Sequence, residues 1–187
     1  MPRCLVLLAA LLVVAVATLP AGSVPARARI GMVVSASSLA SEVGWQMIRS
    51  GGNAVDAAVA TAFALAVTHP AAGNIGGGGF LVYRGADGRA TSIDFRETAP
   101  AAAHPEMWLR DGRYDFELHH YSHRSVGVPG TVAGLHLAWQ KLGSKPWREL
   151  VAPAIRLARD GFAVSDGLAR SLSGVLDSFR KYPASLA

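Results

Sequence analysis

Apolar residues recur at helical spacing in Ser38 to Arg49, where Leu39, Val43, Met47 and Ile48 share a face and Gly51 is placed to stop the helix. Asn53 is positioned to cap the next helix, with Asp56 in its first turn favouring the positive end of the dipole. From Ala57 to Val67 the apolar character covers almost every face, broken only by Thr61, and His69-Pro70 ends the run. A helix without a polar face is buried on all sides. At about 15 residues it is short of the roughly 20 needed to cross a bilayer. It is therefore expected to pack against a sheet, with Ala57, Ala58, Ala60 and Ala62 allowing close approach.

Shorter apolar runs predict strands. Met32-Val33-Val34 reads as a short one, and Phe80-Leu81-Val82-Tyr83 as another. A turn at Gly85-Ala86-Asp87-Gly88 then suits a hairpin leading into Ala90 to Phe95. Period two puts Thr91, Ile93 and Phe95 on one face and Ser92, Asp94 and Arg96 on the other. Beyond these, Ala101 to Pro129 reads as irregular, followed by helices near Thr131 to Leu142, Trp147 to Arg159 and Ser165 to Ser178. Pro153 predicts a break in the second of these. No internal repeat or low-complexity linker appears, and the residues from 29 onward suffice for one domain with a core of its own.

Four consecutive glycines, Gly76 to Gly79, precede the Phe80 strand. A dinucleotide fingerprint or P-loop runs strand, glycines, helix, and the second adds Lys-Ser/Thr. Here the glycines lead into a strand and no lysine follows, which argues against a phosphate cradle. What remains is steric: either tight packing of a strand entry against the preceding helix, or room left beside a substrate pocket.

Arg96 sits at the end of a strand between Asp94 and Glu97. A guanidinium on a rigid element is a suitable clamp for a carboxylate or phosphate, since its planar fork donates two parallel hydrogen bonds. The competing reading is an internal salt bridge. Asp94 and Glu97 bracket Arg96, so orienting the guanidinium is a more economical role for them than acid-base catalysis.

Several blocks occur in a fixed order: Gly51-Gly52-Asn53-Ala54-Val55-Asp56-Ala57-Ala58-Val59-Ala60, Gly73-Asn74-Ile75 with the four glycines and Phe80, Asp94-Phe95-Arg96-Glu97-Thr98-Ala99-Pro100, Gly127-Val128-Pro129-Gly130-Thr131-Val132-Ala133-Gly134, and Pro153-Ala154-Ile155 with Leu157-Ala158-Arg159-Asp160-Gly161-Phe162. Together they resemble the amino-terminal part of the large subunit of a γ-glutamyltranspeptidase (glutathione hydrolase). The resemblance runs from about Ile30 to about Leu168.

That resemblance implies an α/β fold of the amino-terminal-nucleophile hydrolase kind, an αββα sandwich with two antiparallel sheets stacked between helical layers. It implies γ-glutamyl transfer and hydrolysis of glutathione and other γ-glutamyl amides, with no cofactor. The family's nucleophile is a threonine exposed by self-cleavage at the start of a small subunit, activated by its own α-amine. Its Thr-Thr-His and Ser motif is absent from these residues, so this chain alone is expected to be inactive, and its partners are the remainder of the large subunit and the small subunit. A surface facing those partners is expected to be exposed and apolar. Arg96 alone carries over as a substrate residue, pairing with the α-carboxylate of the γ-glutamyl group. A related acylase or capsule γ-glutamyl transferase on the same precursor plan, or a short exported binding protein, are the alternative readings.

The first residues resemble a secretory leader, with Arg3, an apolar stretch from Leu5 to Leu19, and Pro20, Gly22 and Pro25 before Ala26-Arg27-Ala28. Cleavage after Ala28, or alternatively after Ala21, predicts an exported protein, periplasmic or extracellular; an uncleaved membrane anchor is the other option. Cys4, the one cysteine, lies in this segment, so a mature chain has no disulfide. The net charge of +5 includes Arg3 and Arg27. The remaining cations are dispersed without an aromatic platform, which argues against nucleic-acid binding. His119, His120 and His123 lack metal-site spacing in a segment expected to be non-helical and read as a surface loop. Ser92, Ser122 and Ser125 lack a nucleophile-elbow context.

Overall fold

The computed structural model describes residues 25–182 and Ala184. It divides into two units, Met1–Gly31 and Met32–Ala187. In the first, residues 25–31 form no helix or strand; the leader's apolar stretch and Cys4 lie outside the described residues. Among the described residues no helix is long and apolar enough to cross a membrane.

The second unit runs α1 (Ser38–Arg49), α2 (Ala54–Thr68), β1 (Phe80–Arg84), β2 (Ala90–Asp94), β3 (Leu109–Arg110), β4 (Arg113–Tyr114), α3 (Phe116–Tyr121), a 3-10 turn (His123–Ser125), α4 (Thr131–Leu142), α5 (Trp147–Asp160) and α6 (Asp166–Arg180). Ser37 caps α1, its side chain accepting from the Ala40 N–H. The helix ends where Gly51, at φ +88°, donates to Ile48 O at 3.0 Å while Gly52 donates to Met47 O at 2.9 Å. These paired bonds make a Schellman cap, which needs the left-handed conformation glycine takes without cost. Two residues on, Asn53 and Asp56 form a reciprocal capping box that starts α2.

The core lies where α2 meets α1, α4 and α5, and Ile93 of β2 closes it. Val59, Ala60, Ala64, Ala40, Ala138 and Leu150 have no exposed surface. Alanines and glycine allow the close crossings: a Cβ on Gly44 of α1 would stand 2.1 Å from Thr61 Oγ1 of α2. Phe63 and Trp147 meet edge to face with ring centroids 5.5 Å apart, a favourable aromatic geometry.

β1 and β2 form the expected antiparallel hairpin, with Phe80 opposite Asp94 and Val82 opposite Ser92. Ile93 points into the core and Phe95 packs against it, while Ser92 and Asp94 face out. The fold class is mixed α/β. Two separate two-stranded ribbons, β1-β2 and β3-β4, do not by themselves make a sandwich.

Several expectations are corrected. Met32-Val33-Val34 has the alternating burial of a strand but no ladder partner among the described residues, so it is an extended segment only. α2 packs mainly among helices instead of on a sheet, because its small residues fit the faces of α1 and α5. Pro153 does not break α5, which continues from Trp147 to Asp160. Proline removes one bond to the Glu149 carbonyl, and the buried ring beside Leu150 and Ala154 offsets that loss. Ala101 to Pro129 is irregular only in part: Asp111 at φ +53° and Gly112 at φ +75° make a two-residue turn between β3 and β4, the conformation an Asp-Gly pair favours. The histidine segment is partly helical, since Asp115 caps α3 by accepting from the Leu118 N–H at 2.8 Å.

Candidate functional site

The end of β2 is fixed by glycines. A Cβ on Gly78 would stand 2.6 Å from Phe95 O, 2.7 Å from Glu97 N and 2.8 Å from Arg96 Cα. One on Gly130 would stand 2.0 Å from Phe95 O, and one on Gly134 would enter the Phe95 ring. The Arg96 backbone is thus wedged between the glycine loop and the start of α4, at a distance only Cβ-free residues allow. The loop is tied to the helix as well. Gly77 O accepts from Gly130 N at 2.8 Å and Thr131 N at 3.0 Å, while Asn74 Oδ1 accepts from Gly77 N at 2.7 Å and Thr131 Oγ1 at 3.0 Å. The glycines do pack closely, but against the end of β2 and the start of α4 and not against the preceding helix as expected. The first donors of α4 are already taken by the loop.

Beyond Arg96 the chain pairs with the turn before α4: Val128 N donates to Thr98 O at 2.9 Å, and Thr98 N to Val128 O at 3.4 Å. This bridge closes one wall of a cleft of about 620 Å³. Arg96, Glu97, Met107, Trp108, Arg124 and Gly127 are among its lining residues. Such a volume lies in the range of small-molecule sites, about 300–1,000 Å³.

Arg96 is exposed and makes no ion pair among the described residues. The orienting role expected of its acidic neighbours is not what they do. Asp94 Oδ1 accepts from the Arg96 backbone N–H at 3.0 Å, which turns the main chain and leaves the guanidinium free. Glu97 places its Cβ against Gly127. Neither forms an ion pair with Arg96: the Asp94 carboxylate takes the backbone N–H, and Glu97 packs its stem on Gly127.

None of the three histidines is among the lining residues, though His119 touches one of them. His119 Nδ1 and the Tyr114 hydroxyl are 2.8 Å apart, and the His119 ring is tilted over Trp108 with centroids 4.5 Å apart. His120 stacks on Phe116. No group of three metal-ligating residues is present among the described residues. The sequence reading placed neither Trp108 nor Arg124 at the Arg96 site. The Asp111-Gly112 pair was the available signal that this stretch folds back as a hairpin.

The family profile described as gamma-glutamyltranspeptidase matches residues 40–187. The chain belongs to this family. It is 54% identical over 149 residues to the glutathione hydrolase proenzyme of Escherichia coli (strain K12), covering 79% of this chain and 26% of that protein. The structure resembles the γ-glutamyltranspeptidase of Helicobacter pylori with a TM-score of 0.83 at 45% identity, over 87% of this chain and 47% of that one. Against γ-glutamyltranspeptidase from Pseudomonas nitroreducens complexed with L-DON the TM-score is 0.77 at 42% identity, over 82% of this chain and 46% of that one. The chain spans about a quarter of the length of the curated relatives it matches.

Proposed function

We propose that this chain is the substrate-carboxylate-binding part of a γ-glutamyl transferase and hydrolase acting on glutathione and related γ-glutamyl amides. The observation that carries this reading is an unpaired guanidinium, Arg96, lining a cleft at a strand end that glycines on two sides hold in place. Two parallel N–H donors of a planar fork fit the two oxygens of an α-carboxylate. Gripping that end positions the γ-carbonyl for attack, so orientation is the chain's contribution to the rate.

In the scheme carried over from the family, a threonine hydroxyl attacks the γ-carbonyl. Its own α-amine takes the proton, the amine of the substrate leaves protonated, and the γ-glutamyl ester is resolved by water or an acceptor amine. The nucleophile and oxyanion donors belong to a self-processed small subunit, and the Thr-Thr-His run does not occur among these 187 residues. The polypeptide by itself therefore binds without turning over. Pairing with that subunit and the rest of the large subunit completes the stacked-sheet sandwich, with β1-β2 as one of its ribbons. The leader-like first residues favour an exported protein, periplasmic or extracellular, with a membrane anchor as the alternative.

Arg96→Ala tests the clamp. Binding of glutathione to the full chain, measured by calorimetry, is expected to weaken by about 1 to 2 kcal/mol, the scale of a bidentate charge-assisted pair at an exposed guanidinium. Unchanged affinity overturns the reading.

A further inference from the structure

The cleft holds a second free cation. Arg124 lines it together with Arg96 and, like Arg96, makes no ion pair among the described residues. Glu97 is the one carboxylate among the lining residues, so positive charge is in excess. Two cations held in one cleft without a protein partner leave their charge for a ligand to satisfy.

Where the two arginines stand relative to each other follows from the backbone. Thr98 and Val128 form an antiparallel bridge. Arg96 lies two residues before Thr98 and Arg124 four before Val128. The two arginines thus reach the cleft from different segments that meet at that bridge, Arg96 from beyond the end of β2 and Arg124 from the 3-10 turn. The two guanidinium groups therefore suit two carboxylates at separate ends of one ligand better than both oxygens of a single carboxylate.

The backbone that carries Arg124 is also held in place. It lies in a 3-10 turn whose entry is capped by Ser122, with the Arg124 N–H donating to Ser122 Oγ at 3.2 Å and the Ser125 hydroxyl to Ser122 O at 2.5 Å. The Ser122 hydroxyl in turn bonds Leu118 O of α3 at 2.5 Å.

Resting on the clamp reading of Arg96, we infer that Arg124 is a specificity residue for γ-glutamyl peptides that carry a second, carboxyl-terminal carboxylate. Arg96 takes the α-carboxylate of the glutamyl end, and Arg124 takes the free carboxylate at the far end. γ-Glutamyl amides without that group use Arg96 alone.

The test compares glutathione with the same tripeptide esterified at its glycine carboxylate, binding to the full chain and its variants by calorimetry. Wild type is expected to bind glutathione about 5- to 10-fold more tightly than the ester, the scale of an exposed charge-assisted pair. Arg124→Ala should erase that preference by weakening glutathione alone, Arg124→Lys should restore part of it, and added salt should shrink it. A preference that survives Arg124→Ala, or none in wild type, overturns the inference. Arg96→Ala separates the two ideas: it should weaken both ligands by the same factor and keep their ratio. Failure of that variant to weaken either ligand sinks the clamp, while failure of Arg124→Ala to change the ratio sinks only the second site.

Discussion

Asp56 has no exposed surface, yet its carboxylate is fully used. Oδ2 accepts from Asn53 N at 2.8 Å and from the Ser144 hydroxyl; Oδ1 accepts from Ser144 N at 3.0 Å and Lys145 N at 3.2 Å. Burial alone would raise its pKa, but the Ser144 hydroxyl and the three backbone donors outweigh burial and hold it below the usual 3.8. The folded pKa is depressed, so its stabilisation is present above about pH 4 and is lost as pH falls through the folded value. Asp56→Asn removes the charge and leaves donors facing an amide; denaturant unfolding at neutral pH should show a loss of about 2–4 kcal/mol. The variant should also lose part of the acid-side fall in stability; stability within error of wild type at both pH values would count against the tie. The capping half of this role was legible in Asn53 and Asp56 three residues apart. Its other half was not, because Ser144 and Lys145 are 88 and 89 residues away and no local period signals a contact of that range.

Elements with a strong local signal, the α1 and α2 helices and the β1-β2 hairpin, were readable because periodicity and turn residues agree there. The misreadings share a cause. Met32 to Val34 has a strand's pattern without a partner, and Pro153 has a breaker's chemistry in a position whose packing compensates; both outcomes are decided by tertiary neighbours. The glycine run shows how far local chemistry goes. Its composition marks a close approach, but which glycine makes the approach depends on where β2 ends. Gly78 meets backbone atoms of Phe95, Arg96 and Glu97, which cannot step aside, whereas a Cβ on Gly76 meets nothing within 4 Å. Gly78→Ala is therefore expected to cost about 1–3 kcal/mol of stability, as overpacking does, and to weaken glutathione binding by shifting Arg96. Gly76→Ala should stay within about 0.5 kcal/mol of wild type. Thermal unfolding of the pair decides it, and equal effects would mean the loop does not wedge the arginine.

At the scale of the whole molecule, apolar surface is left open on two elements that carry little else. Val34 is 80% exposed on the unpaired Met32–Val34 segment, and Val82 and Phe80 are 82% and 64% exposed on the outer face of β1. Beside the first lies a trough of about 430 Å³, lined by Val33, Ile48, Ala58, Ala62 and Leu65. An extended segment whose backbone donors have no ladder partner, and a two-stranded ribbon with a bare apolar face, are each marginal in water. The proposed pairing with the small subunit and the rest of the large subunit would cover such surfaces. The 187-residue chain in isolation is therefore expected to self-associate at micromolar concentration and to bind a hydrophobic dye. Val34→Lys and Val82→Lys place charges on the open faces without touching the buried core. Each should lower the sedimentation coefficient toward that of a monomer and reduce dye binding, while the unfolding midpoint stays within a few degrees of wild type. A wild-type chain that sediments as a monomer and binds no dye would show that these faces are stable in water uncovered, and the expectation that further chain packs on them would lose its physical basis.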